Sequence, residues 1–182
     1  MTKRNPRSKP TWTDVKAKLA GVEREGLMGL IHDLYAAQKD NRTFLHTRFG
    51  LGEDVLEPYK ETLDRWLWPD VLRNQNTSVA NAKKAISSYR KAVGEPAGLA
   101  DLMAFYCERA AGFSNDLGYQ DEGYLDALVS MFEQALKITR QLLAGDRDAL
   151  IVRLDRVRTI CHNLGYGVGD AMDSLLADYA GT

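Results

Sequence analysis

Few residues in this chain could carry reaction chemistry, and their spacing excludes most familiar arrangements. The three histidines are His32, His46 and His162. None stands in the His-Glu-x-x-His pattern that sets two imidazoles around zinc on one helical face. No Glu-x-x-His repeat is present to build a carboxylate-bridged di-iron bundle. His32-Asp33 is the dipeptide of one class of metal phosphohydrolases, but that chemistry needs a further upstream histidine, and none precedes His32. The plainer reading is a solvated Asp33 beside a histidine flanking a core stripe. Cys161 and His162 are adjacent, and neighbours on a helix point about 100° apart, so they do not form a nucleophile with its base. No Gly-x-Ser-x-Gly elbow and no Gly-x-x-x-x-Gly-Lys phosphate loop occurs. Gly165-Tyr166-Gly167-Val168-Gly169 is glycine-rich ahead of a helix, where anions can bind. It lacks the preceding strand of a dinucleotide site, and a tight inter-helix turn with unusual φ angles is the plainer reading. The sequence thus names no catalytic residue, no cofactor-binding residue and no metal ligand.

Two clusters remain. Asp116, Tyr119, Asp121 and Glu122, with Asp126, gather around one turn. They form either a helix-junction site for a metal or basic partner, or ordinary capping and solvation at two helix ends. An enzyme whose site assembles only in three dimensions would draw on Asp116, Tyr119 and Asp121 with His162. The second cluster is Lys83, Lys84, Arg90 and Lys91, where positions 83, 87 and 91 share one line of a helix. Such a row neutralises phosphates in a salt-sensitive, sequence-independent way, or is the solvated back of an amphipathic helix. No aromatic residue interrupts it to stack bases, which counts against single-stranded nucleic acid.

Helices must position these residues. Between Leu99 and Leu143 two long apolar stripes run at steps of three and four. The first holds Leu99, Leu102, Met103, Tyr106, Ala110, Phe113 and Leu117; the second holds Leu125, Leu128, Val129, Phe132, Ala135, Leu136 and Leu142. Pro96 suits a first turn, Gly118 a left-handed closure, and Asp121 an N-cap. A connector this short forces the two helices antiparallel, at the middle of the core. Gly145 reads as the stop of the second. Before this pair, Thr11 to Asp14 reads as a capping box. Leu27, Leu30, Ile31, Leu34 and Tyr35 mark a helix face, with Gly26 and Gly29 placed to permit close helix approach. Shorter helices follow from Asn41 and Glu53. A further one, from Ser78 to Val93, has Val79, Ala82, Ile86, Tyr89 and Val93 on its core side. After the pair come a helix from Asp146 and a last one holding Met172 and Leu175. No segment alternates at period two. The fold is therefore all-α, with about eight or nine helices as antiparallel hairpins in a solenoid-like stack or an orthogonal bundle.

At 182 residues with 45% hydrophobic content, the chain suits one soluble domain. The reading is a single helical domain over 11–182 behind a disordered basic arm over 1–10. Residues 1–18 hold six Lys/Arg against one acid, so the rest carries a net −6 of the overall −1. That arm is either a mobile terminus or a contact for polyanions. No apolar run approaches about 20 residues, so no membrane partner is expected. Cys107 and Cys161 fall in helical patterns as small core residues, which favours a reducing, cytoplasmic setting.

Leu30-Ile31-His32-Asp33-Leu34-Tyr35, Lys83 to Lys91, Ala100 to Tyr106 and Gly123 to Glu133 together resemble a family of uncharacterised bacterial all-helical domains of unknown function. The resemblance spans roughly residues 15 to 180. It implies an all-helical fold and a bacterial origin, and it brings no activity. Gly165-Tyr166-Gly167 stands where such domains carry a glycine-aromatic segment before the last helix. The leading expectation is a non-enzymatic protein-interaction module of stacked helical hairpins that binds another protein, with self-association open. The alternative is a nucleic-acid-associated protein using the basic arm and the Lys83–Lys91 face.

Overall fold

The computed structural model describes residues 9–181. Among the described residues there are nine α-helices, one short 3-10 turn and no strand, so the chain is all-α. The helices are α1 (Trp12–Leu19), α2 (Arg24–Ala37), α3 (Lys39–Phe49), α4 (Glu57–Leu67), α5 (Val79–Ala92), α6 (Pro96–Leu117), α7 (Glu122–Thr139), α8 (Ala144–Cys161) and α9 (Val168–Ala180); the 3-10 turn covers Val71–Arg73. The basic arm expected over 1–10 lies, apart from Lys9 and Pro10, outside the described residues. No described helix is long and apolar enough to cross a membrane.

Contacts divide the chain into two units, Met1–Leu45 and His46–Thr182. In the first, the capping box forms as its residue types require. The Thr11 amide and hydroxyl both donate to the Asp14 carboxylate at 2.7 Å, and these bonds hold Asp14 below the usual carboxylate range. Asn41 donates to the Leu34 carbonyl at 2.7 Å, tying the start of α3 to the end of α2. Neither α1 nor α2 buries a single residue.

The second unit is assembled on α6. This helix is apolar on several faces because several neighbours cover it. Leu99, Leu102, Met103, Tyr106, Cys107, Ala110 and Phe113 are buried, as are the small residues Gly98, Ala100, Ala104 and Ala111 on its other sides. It packs against α4, α5, α7 and α8, while α9 lies on α7 and α8. Contact with α4 and α8 as well as with its chain neighbours makes the packing a bundle about α6 rather than a linear stack. Gly118, at φ 64°, ends α6, and Asp121 accepts from the Tyr124 amide at 2.8 Å to start α7. Two glycines are required by close approach. A Cβ on Gly98 would sit 2.0 Å from the Tyr89 hydroxyl, and one on Gly112 would sit 2.6 Å from the Trp68 ring. Trp68, Phe113, Tyr119 and Tyr124 form an aromatic group in tilted and edge-on contacts. The Tyr124 hydroxyl donates to the Leu67 carbonyl at 2.6 Å.

A partly buried charge cluster joins three helices. Lys60 of α4 meets Asp101 of α6 at 2.7 Å. Arg153 of α8 also meets Asp101, and it makes a two-pronged pair with Glu108 at 2.7 and 2.8 Å. Burial pushes the Asp101 carboxyl upward, but hydrogen bonds from Lys60 and Arg153 outweigh it and hold the group below its ordinary range.

Several sequence expectations are corrected in detail. Gly145 does not stop α7; it lies inside the first turn of α8, and the α7–α8 turn is made by residues 140–143. The core side of α5 is Ala82, Ala85, Ile86, Tyr89 and Ala92, whereas Val93 is exposed after the helix has ended. Leu117 likewise lies outside the core, in the last, open turn of α6. Gly26 and Gly29 make no close helix contact: a Cβ on Gly29 would meet open space, and one on Gly26 would meet only Val22.

Candidate functional site

The expected site residues fall at two junctions and on one helix face. At the α6–α7 junction three of the four have a structural bond. Asp116 accepts from Asn115 at 2.9 Å, Asp121 caps α7, and the Tyr119 hydroxyl is 3.2 Å from the Thr77 hydroxyl. Glu122 opens α7 in its first turn, where the dipole favours an acid. Beside this junction a cavity of about 370 Å³ is lined by Pro69, Val71, Gln75, Asn76, Thr77, Phe113 and Tyr119. Its one titratable lining side chain is the Tyr119 phenol.

His162 belongs to the α8–α9 junction. Its Nε2 lies 3.2 Å from Asp173 and 3.5 Å from Arg158, and Arg158 donates to Asp173 at 2.7 Å. Bonds from Arg158 hold Asp173 below the usual carboxylate range. His162, Asp170 and Asp173 bring ligand-type atoms within 4.8 Å of one another. Arg158 of α8 pairs with Asp173 of α9 as well as with Asp155 of its own helix, so an ion pair ties α8 to α9 at that point. Gly169 packs against the imidazole; a Cβ there would lie 2.6 Å from Nδ1. Tyr166 and Gly167 both take positive φ, so the glycine-rich run is a tight turn. The two junctions touch: Asn163 donates to Asn115 at 3.2 Å, and the Gly165 amide to Gln120 at 3.2 Å. Sequence reasoning did not link His162 to Asp170 and Asp173, because the turn that joins them has no spacing rule.

Lys83, Lys84, Arg90 and Lys91 stand on α5 opposite its buried side; Lys83 is half-buried and the others are exposed. The Arg48 guanidinium, in the last turn of α3, donates to the Lys91 carbonyl at 2.7 Å and adds a cation at that end.

The surface that sequence reasoning placed in the core is α2. Met28 is 58% exposed, Leu30 and Ile31 44%, and Leu34 59%. With Leu27 and Tyr35 these side chains occupy about 160° of arc at 100° per residue. Six of the fifteen large exposed hydrophobic residues among the described residues lie in the first unit, counting Trp12 and Val15.

Both cysteines are buried and unbridged. Burial pushes Cys161 up to about 12 and Cys107 well above its ordinary value, so neither is a nucleophile near neutral pH. No protein-family model, no curated protein and no solved structure matches the chain.

Proposed function

We propose that this chain is a non-enzymatic protein-interaction module, and that α2 carries the contact by accepting an apolar helix of a partner protein. One observation carries the reading: a fourteen-residue helix with a broad apolar arc buries no residue. An isolated helix of that length is marginal in water, and each large side chain covered contributes about 1.5–3 kcal/mol when fully buried. Glu25, His32 and Asp33 border the arc and Arg24 stands at its N-terminal end, a net charge of only −1, so recognition rests on apolar fit more than on electrostatic steering. The use of both cysteines as buried, unbridged core residues supports a reducing, cytoplasmic setting.

The test is photocrosslinking in host cells from a benzoylphenylalanine placed at position 34. A discrete adduct is expected; it disappears with Leu30→Glu and survives Leu72→Glu, a change at an exposed residue outside α2. An adduct of twice the chain mass identifies the partner as a second copy. No adduct, or one indifferent to Leu30→Glu, overturns the reading.

A further inference from the structure

We propose that the cationic face of α5 is a second, independent surface, which binds the phosphate backbone of duplex nucleic acid without regard to sequence. Residues 46–182 carry fifteen Lys/Arg and twenty Asp/Glu, yet α5 holds four cations and no acid. At 100° per residue, Lys83, Lys84, Arg90 and Lys91 fall within about 120° of arc, and from 83 to 91 they extend about 12 Å along the axis. The residues between them on that face, Ala80 and Ser87, are small and exposed, so phosphates can approach closely. Arg48 extends the row beyond Lys91. Among the described residues no acid pairs with Lys83, Arg90 or Lys91.

The shape of the face selects among polyanions. A helix that binds an anionic membrane needs an apolar side to insert, and on α5 that side, Ala82, Ala85, Ile86 and Tyr89, is committed to the core. Single strands are held by stacking on aromatic rings, and Tyr89, the one aromatic residue of α5, is 2% exposed. A row of side-chain cations with no rings suits the fixed phosphate spacing of a duplex. Three or four neutralised phosphates give a slope of log K against log salt of about −2.7 to −3.6, so affinity falls roughly 40- to 150-fold between 50 and 200 mM KCl.

The experiment is fluorescence anisotropy with the full chain and a labelled 20-base-pair duplex of arbitrary sequence at those two salt concentrations. It is run in parallel on the parent, Lys83→Gln/Lys91→Gln, and Lys137→Gln, which removes a cation from α7. The parent is expected to bind with that salt slope, Lys137→Gln to match it, and the double variant to bind more weakly with a slope reduced by about 2. The glutamines are exposed or half-exposed on a helix, and circular dichroism checks that the fold is kept. Four results overturn the proposal: no binding at 50 mM, a slope unchanged in the double variant, equal weakening by Lys137→Gln, or binding to phosphatidylserine vesicles in place of the duplex.

Discussion

The contact of Gly98 with Tyr89 makes a sharp quantitative prediction. In Gly98→Ala the new methyl would lie 2.0 Å from the Tyr89 hydroxyl oxygen and 2.5 Å from Cζ. The tyrosine has little room to yield, since it is buried and its ring is edge-on to Tyr59 with centroids 5.5 Å apart. Overpacking of this kind costs about 1–3 kcal/mol, and so severe an overlap belongs at the upper end. Alanine recovers about 1 kcal/mol of helix propensity over glycine. The net loss is about 2 kcal/mol, or a fall of about 4–8 °C in Tm for a chain of this length. The comparison is Gly29→Ala, where the same methyl meets open space. There only the propensity gain of about 1 kcal/mol remains, read as slower amide exchange across α2. Thermal melts by circular dichroism and hydrogen exchange by mass spectrometry measure the two effects. Adding Tyr89→Phe to Gly98→Ala removes the atom in closest overlap and is expected to restore part of the loss, a coupling of at least about 0.5 kcal/mol. A Gly98→Ala chain that melts at or above the parent temperature would refute the close α5–α6 contact, and with it the placement of the α5 face.

Two further predictions concern the core and its charges. Tyr124→Phe leaves the buried Leu67 carbonyl without its 2.6 Å bond and is expected to cost about 1–2 kcal/mol, whereas Tyr106→Phe removes a buried hydroxyl that has no hydrogen-bond partner among the described residues and is expected to be neutral or stabilising; paired urea melts decide the signs. Asp101 is held below its unfolded value, so its contribution is fully present above the ordinary carboxylate range and is lost as pH falls through the folded value; Asp101→Asn is expected to flatten the acid limb of a stability–pH curve, and an unchanged limb would remove the Lys60–Asp101–Arg153 cluster from the account.

The helices were legible because their signals are local. Pro96, Gly118 and Asp121 each act within a turn of their own position, and the structure keeps all three roles. The α5 face was legible for the same reason, since a 100° step fixes which residues share a side. What local rules do not reach is the partner of a face. The stripe of α6 and the stripe of α2 follow the same three-and-four spacing, yet one is covered by four helices and the other buries nothing. Gly98 and Gly29 are likewise both helical glycines; only the neighbour across the contact makes one indispensable and the other free. His162 and Asp173 met across a turn whose positive φ at Tyr166 no spacing rule anticipates.

This difference between the two stripes bears on function. In a helix whose apolar arc is satisfied within its own unit, the sequence and the packing agree, and no outside contact is needed to explain the residues. In α2 they disagree: Met28, Leu30, Ile31 and Leu34 are the residues of a core helix on a helix that has no core. Local consistency is the general rule of foldable sequences, and departures from it concentrate where function imposes a cost. On α5 the imbalance is one of composition: the helix holds four cations and no acid of its own, on a unit rich in acids. Both departures lie on helix surfaces rather than in a cleft, while the polar groups at the two junctions are engaged in capping and ion pairs. An apolar arc is relieved by covering it and a cationic row by neutralising it, so each departure fits the association proposed for it. The two also separate in the laboratory, because salt weakens the second contact steeply and leaves the first nearly unchanged.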